Sequence, residues 1–398
     1  MVGYAFMGVA HSHAWRTAPR FFDLPLAPDM AVVAGRDERA VRAAADRLGW
    51  RDAETSWKAL VARDDVDLVD ICTPGDTHAD IAVAALEAGK HVLCEKPLAN
   101  SVEEAETMVR AAEAARASGA LATVGFTYRR VPAVQLAKRL VDEGRIGTVR
   151  HVRAQYLQDW IADPQAPLSW RLDRAKAGSG ALGDIGAHVV DLAQFVTGEH
   201  LTGVSAVLET FVRERPVAAS SAGLSATGSS GGETGPVTVD DAAVFLARLS
   251  GGGLATFEAT RFAYGRKNAI RLEINGSAGS LAFDFEDMNV LHYFDASQPA
   301  WEAGFRRIVV TEPEHAYVGA WWPAGHGLGY EHAFTHQAVD LVRDVAAHRQ
   351  PRPSFADGLQ VQRVLDAVER SAADRSTWTD VPAPTTDTST GTSTRTEA

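Results

Sequence analysis

The chain has 398 residues, 46% of them hydrophobic, and carries a formal charge of −12 from 51 acidic against 39 basic side chains. Length and apolar content favour two packed domains over one. The acidic balance argues against a general nucleic-acid or anionic-membrane binder, both of which need clustered positive charge, and no apolar run approaches the ~20 residues of a membrane span.

The N-terminal segment lacks the basic and long apolar regions of a signal peptide, so a cytoplasmic protein is expected. The two cysteines, Cys72 and Cys94, each sit in an apolar run that reads as a buried strand. They are expected to be core residues rather than a disulfide framework.

From residue 1 to 125 short apolar runs alternate with helical patterns. Strands are expected at Gly3–Met7, Ala31–Ala34, Leu68–Thr73, His91–Cys94 and Leu121–Gly125. Helices are expected at Glu38–Leu48, His78–Glu87 and Val102–Ala117, the last with Ser101 as N-cap. Alternation of this kind implies βαβ units and a parallel, doubly wound sheet.

The run Gly8-Val9-Ala10-His11-Ser12-His13 stands where a G-x-G-x-x-G dinucleotide turn belongs, with Ala10 and His13 in place of the later glycines. Gly8, Ala10, His11 and His13 are therefore candidate cofactor contacts. The second strand ends Ala34-Gly35-Arg36-Asp37. An acid at this strand end suits the ribose of NAD and an arginine suits the 2′-phosphate of NADP, so Gly35 and Arg36 slightly favour NADP over NAD, with Asp37 leaving the choice open. Thr73, Pro74 and His78 follow the third strand, where loops cover a dinucleotide.

The stretch Gly89-Lys90-His91-Val92-Leu93-Cys94-Glu95-Lys96-Pro97 crosses a glycine turn, enters a buried strand and finishes on Glu-Lys-Pro. Ligands of open α/β sheets sit beyond the carboxyl ends of strands. A lysine there can stabilise a developing alkoxide or act as a base.

After Phe126 the pattern changes to alternation with turns between: Arg150–Leu157, Val204–Phe211, Ala242–Leu249, Leu254–Thr260, Ala269–Asn275 and Ser280–Phe285. This predicts an α+β domain with a large mixed or antiparallel open sheet and helices at Pro132–Glu143 and Ile185–Val196. The organisation expected is residues 1–125 as a Rossmann domain, 126–381 as a substrate-binding and oligomerisation domain, and 382–398 as an unstructured tail. Residues 217–236, rich in Ala, Ser and Gly, read as an exposed loop.

The segment from Ala177 to Asp191 opens with glycines and turns helical. Ile185, Val189, Leu192, Ala193 and Val196 form its apolar face, with Asp184, His188 and Asp191 on the neighbouring stripe. A carboxylate and an imidazole then project together, suited to holding a hydroxyl and moving its proton. The bland alternative is an N-cap and a satisfied interface histidine. His332 and His336, four apart, have the spacing of a zinc pair, but no third ligand stands nearby and no metal is expected. Arg129 and Arg130 read as partners of structural acids.

These motifs resemble one family. Val66 to Pro97, with Thr73-Pro74, His78, Gly89-Lys90-His91-Val92 and Glu95-Lys96-Pro97, is similar to the Gfo/Idh/MocA oxidoreductases, as are Gly125-Phe126-Thr127-Tyr128-Arg129-Arg130 and Gly183-Asp184-x-x-x-His188. Tyr156–Trp160, Pro167–Arg171, Gly178–Asp184 and Pro353–Gly358 resemble the branch of levoglucosan dehydrogenases and glucoside 3-dehydrogenases within it. The resemblance implies a Rossmann domain followed by a mixed-sheet domain, with Lys96, Asp184 and His188 as the catalytic set. It also implies Glu95 and Lys96 beside the cofactor, and a homodimer or homotetramer built on the open sheet. Levoglucosan dehydrogenases generally use NAD, whereas Gly35-Arg36 resembles NADP-using branches.

The expected activity is hydride transfer between a hydroxyl of a pyranose sugar, glycoside or cyclitol (C3 of a glucose-like ring) and NAD or NADP. Tyr128, Gln158, Trp160 and Arg171 are candidate substrate contacts, because aromatic faces and hydrogen-bonding groups suit sugars. The alternatives are an NADPH-dependent keto-sugar reductase and a non-catalytic dinucleotide-binding sensor.

Overall fold

In the computed structural model, which describes residues 1–217 and 233–384, the first part of the chain winds a parallel sheet. In chain order its elements are α1 (Phe6–Phe21), β1 (Val32–Ala34), α2 (Glu38–Leu48), β2 (Asp52–Glu54), α3 (Trp57–Val61), β3 (Leu68–Ile71), α4 (His78–Glu87), β4 (His91–Cys94), α5 (Val102–Ala115) and β5 (Ala122–Val124). β1 pairs with β2, and β3 with β4 and β4 with β5, all in parallel. Val2 bridges both Ala34 and Ile71 in parallel and so joins the two groups into one surface. Helix starts follow the chemistry: Asp37 accepts the Ala40 amide and Ser101 the Glu104 amide at the N-termini of α2 and α5. Both cysteines are free and buried, as expected.

The strand expected at Gly3–Met7 is not one. Only Val2 pairs, the backbone turns at Gly3 with φ 94°, and α1 has begun by Phe6. β2 and α3 escaped sequence reasoning because Asp52-Ala53-Glu54 has no apolar alternation and α3 is a five-residue helix.

The second part is a nine-stranded sheet. Its elements are α6 (Pro132–Asp142), β6 (Val149–Leu157), α7 (Arg174–Ala177), α8 (Ala187–Thr197), β7 (Leu201–Glu209), a small hairpin of β8 (Glu214–Pro216) and β9 (Thr234–Pro236), β10 (Ala242–Leu249), β11 (Leu254–Thr260), β12 (Ala269–Gly276), β13 (Gly279–Asp284), β14 (Val290–Asp295), β15 (Arg306–Val309), α9 (Tyr330–Ala346), α10 (Phe355–Ala373) and β16 (Thr379–Asp380). The sheet order is β15-β14-β13-β12-β6-β11-β10-β7-β16. Its pairs are antiparallel except β6 with β11. The alternation in β6 is real: Val152, Ala154 and Tyr156 are buried and Arg153 is exposed.

One face of this sheet is packed under α8 and α10. The other leaves Val207, Val244, Leu246 and Leu254 exposed. α10 also packs on α5, and α9 packs on α1 through Phe334, Ala338, Trp15 and Ala18. These helices seat the sheet of the second part beside the strand ends of the first. Among the described residues no helix is long and apolar enough to cross a membrane. The expected loop at 217–236 and tail at 382–398 lie mostly outside the described residues.

Candidate active site

A glycine turn with the spacing of a dinucleotide turn lies five residues earlier than the sequence suggested, at Gly3-Tyr4-Ala5-Phe6-Met7-Gly8. A Cβ at Gly3 would lie 2.8 Å from the Cys72 carbonyl oxygen, and one at Gly8 would lie 2.4 Å from the Gly3 carbonyl oxygen. Backbone meets backbone there, so both positions require glycine, as a turn that lets a pyrophosphate approach a helix start demands. The spacing is G-x-A-x-x-G, and these residues fit a dinucleotide. Gly8 is thus the last glycine of the turn rather than the first. Ala10, His11 and His13 belong to the body of α1, and His11 is turned inward, with both ring nitrogens facing carboxylates.

Gly35 and Arg36 end β1 as expected. The Tyr4 ring lies where a side chain at 35 would go, 2.0 Å from a Cβ built there. Arg36 is exposed, and Asp37 is engaged as the cap of α2.

Lys96 follows β4, and its bond to Pro97 is cis. The preceding loop is tied to it by His78, whose Nδ1 lies 3.0 Å from the Pro97 carbonyl oxygen and whose Nε2 lies 2.9 Å from that of Thr73. His78 therefore fixes the Thr73-Pro74 and Glu95-Lys96-Pro97 loops against each other.

From the second part, Asp184 arrives on a π-helical turn, Leu182–Gly186, that runs into α8. Such turns recur at functional sites because they re-aim side chains. The approach to it is anchored by Asp240, whose carboxylate accepts the Gly180 amide at 2.6 Å and the Leu182 amide at 2.8 Å. Lys96 Nζ donates to the Asp184 carbonyl oxygen at 2.7 Å and to its Oδ1 at 3.3 Å; Arg261 lies 3.4 Å from Oδ2. Burial opposes ionisation of Asp184, yet Lys96, Arg261 and Arg171 together hold its carboxyl well below the usual range.

His188 stands one turn on. Burial pushes its imidazole well below its ordinary pKa, Lys96 adds to that, and Asp184 opposes it. The ring is neutral at neutral pH, its Nδ1 is buried with no partner among the described residues, and Tyr128 lies edge-on at 4.6 Å between ring centres. A neutral imidazole beside an ammonium is equipped to take a proton.

Tyr128, Gln158 and Trp160 share one hydrogen-bonded wall. Tyr128 and Tyr156 hydroxyls are 2.9 Å apart, Tyr156 donates to Asn268 at 2.6 Å, Gln158 donates to Asn268 at 2.8 Å, and Trp160 donates to Gln158 at 3.0 Å. Arg171 lies over the Trp170 ring at 4.5 Å, and its charge acts on Asp184. Sequence reasoning missed Arg261 and Asn268. Arg261 immediately follows the strand Leu254–Thr260, and that strand-end position was the available signal.

Other singled-out residues have structural partners. Asp191 is held by Arg129 at 2.6–3.1 Å, and Arg130 pairs with Asp340 at 3.0 Å. His336 Nε2 accepts from Trp321 at 2.8 Å while Nδ1 faces the Arg130 carbonyl at 3.0 Å; His332 Nδ1 accepts the Gly329 amide. The two histidines point to different tasks and do not form a pair.

Comparison with known proteins agrees with this architecture. Residues 1–126 match the family described as an oxidoreductase family with an NAD-binding Rossmann fold, and 134–282 match the GFO/IDH/MocA C-terminal domain. Levoglucosan dehydrogenase of Pseudarthrobacter phenanthrenivorans is 43% identical over 96% of this chain and 97% of its own. An oxidoreductase domain protein from Kribbella flavida, solved by crystallography, is 68% identical with a TM-score of 0.91 over 96% of this chain and 98% of its own. A levoglucosan dehydrogenase structure in complex with NADH and levoglucosan is 42% identical with a TM-score of 0.89, covering 96% and 98%. The chain belongs to the Gfo/Idh/MocA family of oxidoreductases, with an NAD-binding Rossmann fold in its first part.

Proposed function

We propose that this protein oxidises a ring hydroxyl of a pyranose sugar, glycoside or cyclitol, with C3 of a glucose-like ring as the reacting carbon, to give the keto sugar. The observation that carries this is the convergence of Lys96 and Asp184, from opposite parts of the chain, beside a neutral buried His188. His188 takes the hydroxyl proton. The Lys96 ammonium stabilises the oxygen as it becomes an alkoxide and then a carbonyl. Asp184, kept ionised by its cations, holds a neighbouring hydroxyl, and the wall from Tyr128 to Trp160 with Arg171 lines the sugar's place. When bound, the dinucleotide supplies the hydride acceptor, cradled by Gly3 to Gly8 and covered by Thr73 and Pro74. Relatives solved with NADH favour NAD over the NADP that Gly35-Arg36 suggests.

We further read residues 1–125 and 126–381 as separate domains, and the exposed aliphatic face of the nine-stranded sheet as the contact of a homodimer or homotetramer. Mixing the purified protein with NAD or NADP and levoglucosan, glucose, methyl glucosides or myo-inositol, and following reduced-nicotinamide absorbance with product analysis, tests the activity. Reduction with any of them, and a 3-keto product from a glucoside, is the expected result; silence across the panel refutes the proposal.

A further inference from the structure

Beneath the strand-end lysine lies a buried group of side chains that the chemistry above does not use. His11, from the first turns of α1, places Nδ1 2.9 Å from Asp70 Oδ1 at β3 and Nε2 3.0 Å from Glu95 Oε1 at the end of β4. All three residues are at most 4% exposed. Trp15 donates to the second oxygen of Asp70 at 2.7 Å, the Cys72 thiol lies 3.5 Å from the first, and the Phe334 ring of α9 packs on the imidazole at 5.5 Å. Burial works against a charged ring, but the pull of Asp70 outweighs it and raises the His11 pKa well above the ordinary value. Protonated, the ring donates from both nitrogens and so satisfies both facing carboxylates.

The second oxygen of Glu95 carries the consequence. Oε2 accepts the backbone amide of Lys96 at 3.2 Å. Its first oxygen occupies the space beside Gly125, 2.8 Å from where a Cβ would stand. The glycine of the Gly125-Phe126-Thr127 motif thus makes room for this carboxyl group. An imidazole on one side and an absent side chain on the other leave it a single seat.

We infer that His11 is a positioning residue for Lys96: by bridging Asp70 and Glu95 it seats the Glu95 carboxyl group over Gly125, and through the bond to the Lys96 amide it sets the backbone from which the amine reaches Asp184. The inference rests on the role of Lys96 proposed above. Because α1 opens directly from the dinucleotide turn, with Gly8 in contact with Gly3, His11 also ties the seat of the cofactor to the placement of the lysine.

The test uses the full chain with His11→Gln, which removes the second donor, and Gly125→Ala, which keeps every charge and presses hardest on the Glu95 carboxyl group, with the Glu95 Cα next at 3.3 Å. A displacement of about 1 Å at a reacting group costs up to ~100-fold. Each variant is expected to lower kcat by about 10- to 100-fold, to leave the dinucleotide KM within about threefold, and to enlarge the isotope effect with sugar deuterated at the reacting carbon, because chemistry becomes rate-limiting. A merely structural role would lower the melting temperature and leave those ratios unchanged. A folded Gly125→Ala or His11→Gln variant with kcat within about twofold of wild type overturns the inference. If the wild type oxidises none of the sugars, the functional proposal fails on its own, and crystals of the variants decide the matter here. Lys96 Nζ displaced from the Asp184 carbonyl supports positioning, and the 2.7 Å contact retained overturns it.

Discussion

Replacing Lys96 by methionine isolates the charge from the shape. Methionine matches the length of the stem and adapts to its surroundings, so packing is largely kept. What is lost is an ammonium 2.7 Å from the Asp184 carbonyl oxygen and 3.3 Å from its carboxylate. Asp184 does not become an uncompensated buried charge, because Arg261 remains 3.4 Å from Oδ2. The stability loss is therefore expected to be about 1–3 kcal/mol, the cost of one charged hydrogen bond, rather than the larger cost of a broken isolated pair. Turnover suffers more. Removing a preorganised donor to a developing oxyanion costs about 10²–10³ in rate, or roughly 3–4 kcal/mol. Dinucleotide affinity is expected to stay within about threefold, since the amine points at Asp184 and not at the Gly3–Gly8 turn. A second signature comes from His188. Burial is the chief cause of its low pKa and persists in the variant, but the contribution of Lys96 vanishes. The pKa of the proton acceptor rises, and the acid limb of the kcat profile moves to higher pH. Steady-state assays across pH, with dinucleotide binding followed by fluorescence, read all three quantities. A variant whose kcat is within about tenfold of wild type would refute the assignment.

The remaining expectations are independent of that residue. Gly8→Ala places a methyl 2.4 Å from a backbone oxygen that cannot move without moving the turn; dinucleotide affinity should fall at least about tenfold, with about 1–3 kcal/mol of stability, measured by titration and denaturant unfolding. His336 is held by burial at a pKa of about 3, below its ordinary value, so the unfolded chain takes up a proton first as pH falls. Its neutral form gives stability that is fully present above ~6.5 and is lost as pH drops towards the folded value, at up to about 1.4 kcal/mol per pH unit. His336→Gln should therefore weaken the fold at pH ~7 while flattening its decline towards pH ~5, and unchanged acid sensitivity would count against it. For the cofactor, the kcat/KM ratio of NAD to NADP is expected to exceed one. Arg36→Ser should raise it further if the guanidinium meets a 2′-phosphate, and a wild-type preference for NADP would restore the sequence-based choice.

What could be read from the sequence follows from where period and chemistry coincide. Glu38–Leu48 and His78–Glu87 have the bounds expected because each carries a helical apolar face and a local start or stop signal, and His91–Cys94 because its buried run is bounded by Gly89 and Pro97. Lys96, Asp184 and His188 stood out as candidates for a related reason: each lies near the start or end of an element. The dinucleotide turn was misplaced because a short apolar run has no period of its own. Tyr4-Ala5-Phe6-Met7 reads equally as a strand or as the entry to a helix, and only the positive φ at Gly3 and the close approach of Gly8 to it decide between them.

That misplacement also hid the task of His11. Counted as a residue of the turn, it looked like a cofactor contact. Placed one helical turn past Gly8, it faces Asp70 and Glu95, partners 59 and 84 residues away that no local pattern announces. Pairings of this range depend on how α1 lies across the strand ends, which is set by the packing of Trp15 and Ala18 against Phe334 and Ala338. The candidate side chains were therefore visible from local signals, whereas the partners that His11 faces became visible only once the helices had been laid on the sheet. Charged groups buried beneath a reactive lysine are costly to fold, and the meeting of His11, Asp70 and Glu95 from α1, β3 and the end of β4 is best understood as the cost of holding that lysine in place.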